Sequence, residues 1–292
     1  MNKIFEKAKI FIILFKKVGY KRLLTSFSSI FGGFWLFLEP ASFFFPEKLK
    51  FGLSGYLFLA GISFIIALAK NRPRRCFSSR LSSPDVEIEV KIGDLFDEKS
   101  HLVIGFNDVF DTEIGEIIKH SSIQGQFLSK IYQNDCNKLD YEINQELKIE
   151  TYDNQRKYES NKTQGKTWRY PIGTTITLGS EKRRYFLVAY GYMSNNLVIQ
   201  SKPSDILESL NKLWNEVRNK CHGYPVAIPL IGTDISRSGL SRMQSIKLII
   251  TSFILASKKE YITKKLIVTI YPEDLESIDF YLIEEFLSSV CF

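Results

Sequence analysis

Two apolar stretches near the N-terminus constrain this chain more than any other feature. Thr25 to Phe45 and Phe51 to Ala69 are separated only by Pro46-Glu47-Lys48-Leu49-Lys50, and basic residues flank the pair on both outer sides. The second stretch, FGLSGYLFLAGISFIIALA, is uncharged, and its length matches the roughly 20 residues that a helix needs to span about 30 Å of hydrocarbon. The first is diluted by Thr25, Ser26, Ser28 and Ser29 at its start and by Glu39 and Pro40 near its end. A signal peptide followed by one anchor fits poorly, because a long lysine-rich leader precedes the first stretch and Pro46 follows it without a small-residue cleavage site. The expectation is a two-helix transmembrane hairpin within residues 23–70, with spans at about 25–45 and 51–69.

Residues 1–22 carry Lys3, Lys7, Lys9, Lys16, Lys17, Lys21 and Arg22, and residues 70–80 carry Lys70, Arg72, Arg74, Arg75 and Arg80, whereas the connecting turn holds only Lys48 and Lys50. The positive-inside rule places both flanks in the cytoplasm of a cell membrane. The same distribution argues against nucleic acid as a partner. Residues 1–80 hold 14 basic against 3 acidic residues, and the remainder holds 25 basic against 29 acidic. The excess therefore sits beside the apolar stretches, where it suits anionic headgroups, and not on a DNA-reading surface of the remaining domain. Residues 1–22 also read as an amphipathic helix, with Phe5, Ile10, Phe11, Ile13, Leu14 and Phe15 among lysines; it either lies in the membrane interface or packs on the spans. Cys76, Cys136, Cys221 and Cys291 have no paired spacing and form no zinc pattern with His101, His120 and His222. They read as reduced structural thiols, and no metal is expected.

Residues 71–84, NRPRRCFSSRLSSP, read as a linker, and residues 85–292 are enough for one domain with a full core. Periodicity predicts strands at Val86–Ile92, His101–Phe106, Val226–Ile231 and Lys265–Tyr271, and a hairpin of Thr174–Leu178 with Tyr185–Tyr190. It predicts helices at Thr112–Tyr132 with a turn at Ser121–Gly125, at Ser204–Cys221 with Leu207, Leu210, Leu213, Trp214 and Val217 on one face, at Ser241–Ser257 and at Pro272–Leu287. Residues 133–166 are polar and read as a long loop with partial helix or strand. Helices that alternate with buried strands indicate an α/β domain, a mixed sheet with helices on both faces, whose ligands bind at the carboxyl ends of the strands.

Three strand ends stand out: Gly93-Asp94-Leu95, Gly105-Phe106-Asn107-Asp108, and Pro229-Leu230-Ile231-Gly232-Thr233-Asp234-Ile235-Ser236-Arg237-Ser238-Gly239-Leu240. In the third, two glycines and several polar residues precede a helix, so outward-pointing N–H groups and the helix dipole suit a phosphate or diphosphate. The alternative is an ordinary polar loop with a serine cap. A Walker loop is excluded by spacing.

In this order, G-D-L after the first strand, V-I-G-F-N after the second, P-L-I-G-T-D-I-S-R-S-G before a helix and V-T-I-Y-P-E-D-L at the last strand resemble the macro domain, a reader of ADP-ribose and related nucleotides, over roughly residues 86–290. The resemblance implies that Asp94 accepts from the adenine amine with the Leu95 backbone supporting the ring, and that Asn107, with Asp108 beside it, bonds the distal ribose. It implies that Ile231 to Leu240 (Ile231, Gly232, Thr233, Asp234, Ile235, Ser236, Arg237, Ser238, Gly239 and Leu240) hold the diphosphate and that Tyr271 packs on adenine. For each side chain an alternative stays open: Asp94 caps its own turn, Asn107 bonds its own loop, Tyr271 is core. The glycine run that macro domains carry after the asparagine is absent here, replaced by Ser121-Ser122-Ile123-Gln124-Gly125-Gln126. Ser122, Gln124, Gly125 and Gln126 are therefore the candidates for that side of the pocket, and binding without catalysis is the expectation.

Two spans followed by a divergent macro domain resemble the membrane effectors of Thoeris antiphage systems, and Ser122–Phe127 and Tyr170–Thr175 resemble that subgroup. The resemblance implies a partner TIR-domain protein that makes an ADP-ribose conjugate from NAD, such as histidine-ADP-ribose. It further implies capture of that conjugate by the macro domain, homo-oligomerisation, disruption of the bilayer and arrest of the infected cell. Glu39 is the residue to examine for assembly or a pore, unless it lies at the interface. The alternative is a membrane-tethered ADP-ribose reader or an ADP-ribosyl hydrolase.

Overall fold

The computed structural model describes residues 3–45, 52–233 and 238–291. It divides into two compact units, one reaching Arg75 and one starting at Cys76. In the first, α1 (Lys3–Val18) ends at Gly19, whose φ of 71° a helix cannot continue through. Ile10, Leu14 and Val18, spaced by four, are buried on α1, while Phe11, Ile12 and Phe15 are exposed. Helix α2 (Tyr20–Phe44) carries Pro40 in its last turns, and α3 (Leu53–Lys70) follows Gly52. The two pack through aromatic rings, Phe27 on Phe64 and both Phe31 and Trp35 on Tyr56, all edge-on. On α3, Leu59, Ser63 and Ala67 are buried at a spacing of four, while Leu53, Leu57, Phe58 and Ile65 face outward.

Among the described residues α3 alone is long and apolar enough to cross a membrane by length and composition. Its 18 residues give about 27 Å at the helical rise. The first stretch lies in α2, whose hydropathy is lowered by the serines, Glu39 and the basic residues of its first turn. The connecting turn, Pro46–Lys50, lies outside the described residues.

The second unit is built on a mixed sheet. Its strands are β1 (Cys76–Leu81), β2 (Val86–Ile92), β3 (His101–Asn107), β6 (Thr175–Ser180), β7 (Arg183–Met193), β9 (Val226–Pro229) and β10 (Lys265–Ile270), ordered β1-β2-β10-β9-β3-β7-β6, with β8 (Ile199–Gln200) beside the end of β7. The five central strands run parallel, and the edge strands β1 and β6 run antiparallel to their neighbours. Burial on both faces explains why β9 and β10 read as near-continuous apolar runs. Strand β1 corrects the expected linker at 71–84. Its Phe77 and Leu81 point inward while Cys76, Ser78 and Arg80 alternate outward, and a half-buried edge strand of that composition resembles a loop when read alone.

Leu102, Ile104 and Phe106 of β3 and Ile176 and Leu178 of β6 face a core formed with α4 (Ile123–Tyr132) and α5 (Cys136–Leu147). The opposite face carries α7 (Pro203–Lys220), joined to β6 by Thr177 Oγ1 donating to Glu216 Oε1 at 2.8 Å, and α8 (Arg242–Lys259), joined to α7 by Trp214 Nε1 donating to Ser252 Oγ at 3.0 Å. On α7 the inward face begins at Ile206; Leu207, expected there, is exposed. The closing segment is a 3₁₀ turn (Pro272–Ser277) and then α9 (Phe280–Val290), capped by Asp279, in place of one helix.

Around β3 only Ile123–Tyr132 of the expected 112–132 helix is helical. The partial helix and strand expected within residues 133–166 are α5, α6 (Glu150–Asp153) and β4 (Lys157–Tyr158), which pairs with β5 (Trp168–Arg169) just beyond. Leu139, Ile143 and Leu147 form the buried face of α5; three apolar residues at a spacing of four suffice once a core is present to receive them.

The insertion is bolted to the end of β3 by buried charge. Asp111 and Lys162 side chains, each 1% exposed, lie 3.5 Å apart. Asp111 Oδ1 accepts from Lys166 N at 2.7 Å, and Lys166 Nζ donates to Phe110 O and to Asp140 Oδ1. Gly165, at φ 72°, passes so close to the Asp111 carboxylate that a Cβ there would strike it. Arg169 Nη1 donates to Asp108 Oδ2 at 2.6 Å, whose other oxygen accepts from Met193 N. Asp111→Ala strands the Lys162 ammonium without its counter-charge and should cost about 3–5 kcal/mol, read as a lower denaturation midpoint of the full chain in detergent; an unchanged midpoint would refute this account.

Candidate functional site

All five parallel strands end on one edge of the sheet, and there the ladder opens. Strands β3 and β9 pair only at His101 with Val226 and Leu102 with Ala227. Beyond these pairs the β3–β9 ladder is not continued, and ligands of open α/β sheets bind in the crevice outside the carboxyl ends of the strands. Its walls are the segments after β2, β3, β9 and β10.

After β2, Asp94 Oδ1 accepts from Phe96 N at 2.9 Å and caps a one-turn 3₁₀ helix, Leu95–Asp97. Its other oxygen is held by Lys130 Nζ of α4. Leu95 is buried in the core.

After β3, the expected ligand contacts are spent internally. Asn107 is fully buried; its Oδ1 accepts from Val109 N and Asp111 N, and its Nδ2 donates to Asp111 Oδ2. It organises its own loop and presents nothing to a ribose. Asp108 is likewise buried and paired with Arg169; burial pushes its carboxyl up from the ordinary range, against the lowering by Met193 N–H and the guanidinium. Ser122 caps α4 by accepting from Gly125 N at 3.0 Å. Gln124 is buried and donates to Asp111 O, and Gln126 donates to Ser121 O while accepting from Lys130. Gly125 is a glycine because a Cβ would collide with the carbonyls of Lys119 and His120, so its close approach is to its own chain.

After β9, Ile231 is buried and its carbonyl accepts from Ser245 Oγ at 2.7 Å. Gly232 takes φ 78°, with the Ile206 side chain where a Cβ would stand. Ser238 Oγ donates to Gly232 O and accepts from Leu240 N at 3.1 Å, which folds the two described ends of the loop on each other. Gly239, at φ 75°, has open space on its Cβ side, and Ser241 and Gln244 form a capping box at the start of α8. Thr233 stands at the near rim; Asp234, Ile235, Ser236 and Arg237, the middle of the expected diphosphate loop, lie outside the described residues. An 18-residue helix aimed at this loop supplies the positive end of its dipole. After β10, Tyr271 is 40% exposed, which removes the reading of it as core.

The crevice thus brings Asp94, Gly232, Ser238 to Leu240 and Tyr271 to one sheet edge. One contributor was missed: Lys130, which holds Asp94, looks like a surface lysine in any helical pattern. Tyr190 of β7 lays its ring over Gly105 of β3, where a Cβ would come within 2.7 Å, and burial pushes its phenol up to about 12.

The family model described as Thoeris protein ThsA, Macro domain, matches residues 88–271. The chain belongs to the Thoeris ThsA macro-domain family. That match runs from β2 through Tyr271 and so contains every wall of the crevice. The Thoeris protein ThsA of Bacillus amyloliquefaciens (strain Y2) is 27% identical over 239 residues, 79% of this chain and 78% of that protein. Among solved structures, a mutant Oceanobacillus iheyensis macrodomain aligns with a TM-score of 0.48 at 13% identity, covering 73% of this chain and 94% of that one. Another mutant of the same macrodomain, with ADPR, aligns at 0.45 and 12% identity, covering 73% and 99%.

Within this ThsA macro domain, Gly125→Ala should destabilise by about 1–3 kcal/mol through overpacking against the 119–120 backbone, seen as a lower melting temperature. An unaltered melting temperature would remove the close approach from the account of this loop.

Proposed function

We propose that this protein is an antiphage defence effector whose macro domain binds an ADP-ribose conjugate made from NAD by a TIR-domain partner, histidine-ADP-ribose being the leading candidate. The observation that carries this reading is the family match over the whole crevice, in a chain whose other unit contains a helix of membrane-spanning length and composition. Asp94 offers an acceptor to the base amine, the glycine-bearing loop and the α8 N-terminus suit the diphosphate, and Tyr271 offers an aromatic face.

The reaction class we assign is binding without turnover. Asn107 is sealed in its own loop and the glycine run that positions a scissile bond is missing, which supports a reader over a hydrolase. Residues 23–70 form the transmembrane hairpin, with the macro domain on the cytoplasmic side. Occupancy drives homo-oligomerisation and bilayer disruption, with Glu39 of α2 at the assembly surface or pore. The ligand must favour the assembled state differentially, and a swing from 1:99 to 99:1 needs roughly 5.5 kcal/mol of such preference, a requirement that several subunits meet jointly.

Full-length protein in liposomes should release dye with the NAD-derived product of a TIR enzyme and not with buffer alone. Asp94→Ala and Gly232→Glu should abolish release, and toxicity in cells, while protein stays in the membrane fraction. Release by either variant would show that the pocket is misassigned; tight binding with intact vesicles points to a tether, and turnover of an ADP-ribosylated substrate that is lost in Asn107→Ala points to the hydrolase.

A further inference from the structure

We propose that Lys130 is an internal competitor for the base-binding oxygen of Asp94 and thereby sets which bases the crevice accepts. The inference rests on the reading of the crevice as a nucleotide site.

Asp94 has two carboxylate oxygens, and each already accepts one bond from within the chain. Oδ1 is fixed by Phe96 N as the cap of the Leu95–Asp97 turn, a contact the turn needs in any state. Oδ2 is the oxygen left for a ligand, and Lys130 Nζ occupies it. The ammonium is itself held in place: it donates to Gln126 Oε1, one turn earlier on α4, at 2.9 Å, and it sits 4.7 Å from the Phe96 ring centroid. With Asp94 27% and Lys130 40% exposed, the pair is reachable from solvent and can be exchanged.

A base that carries an exocyclic amine engages Asp94 by the same chemistry as the ammonium, as a donor to Oδ2. It therefore competes with Lys130 for Oδ2, and the ammonium it displaces keeps Gln126 and the Phe96 ring and gives up only the carboxylate. A base with a carbonyl in the amine's place sets an acceptor there, with its nearest donor, the ring N1–H, one atom further round, so it accepts from the ammonium where it already stands. Lys130 thus penalises 6-amino purines and tolerates 6-oxo purines, and it raises the concentration that an adenine ligand needs to occupy the crevice.

The test is calorimetric titration of the full-length protein in detergent with ADP-ribose and with inosine diphosphate ribose. Lys130→Met keeps the apolar stem over Phe96 and removes the competitor, so it should bind ADP-ribose about fivefold tighter, the worth of an ion pair at this exposure. Its affinity for the inosine analogue should not rise, so the preference between the two ligands widens. Lys130→Arg retains the cation and should behave as the parent. Unchanged or weaker ADP-ribose binding by Lys130→Met overturns the proposal. If Asp94→Ala weakens ADP-ribose binding while Lys130→Met does not tighten it, the competitor is refuted and the nucleotide site stands. If Asp94→Ala leaves ADP-ribose binding unchanged, the assignment of this oxygen to the base fails and the proposal falls with it.

Discussion

Asp111, a carboxylate with 1% of its side chain exposed, is the point on which the site half of the domain turns. It receives Asn107 from β3, Lys162 across an ion pair and Lys166 N from the insertion, so one buried charge ties the end of a central strand to a segment more than fifty residues away. An ion withdrawn from water is tolerated only when its lone pairs are fully used, and that requirement fixes the loop after β3 in a single path. The path determines where α4 starts, and α4 carries Lys130 to Asp94. The geometry around Asp94 therefore descends from the charge at Asp111.

The same economy explains why several polar residues at these strand ends are partnered within the chain. Asn107, Asp108 and Gln124 are buried and bonded internally, since an unsatisfied buried polar group is costly. Groups that remain partly exposed or whose backbone is held open stand at the same strand ends: Asp94, Tyr271 and the glycine loop before α8.

The N-terminal unit follows the opposite rule. Its helices expose large apolar side chains, Leu36, Phe37, Phe43 and Phe58 among them, at 69% or more, whereas the most exposed such groups of the macro domain, Tyr141, Leu255 and Tyr158, stay at 65% or less. Exposed apolar patches of this extent mark a surface meant for a partner or a membrane, and they concentrate in the half of the chain that also holds the basic excess.

The amino-acid order by itself determined the two-part organisation, the parallel core and the crevice loops. Apolar length, strand runs such as LIVTI and the Gly-Thr to Ser-Gly loop before a helix are local signals, set by burial on both faces and by backbone freedom at glycine. It also fixed the family, since the motifs fall in one order along the chain. What only the tertiary structure decided concerns partners far apart in sequence. The edge strand β1 was hidden in a serine- and arginine-rich segment because two inward residues, Phe77 and Leu81, signal a strand only beside β2 and α9. The insertion's helices could not be placed because Leu139, Ile143 and Leu147 are too few to declare a face until a core receives them. The roles of Asn107, Asp108 and Lys130 were undetermined because the same side chain serves a ligand or its own chain according to which donor reaches it first, and that is a matter of three-dimensional distance, which the spacing of residues along a chain does not encode.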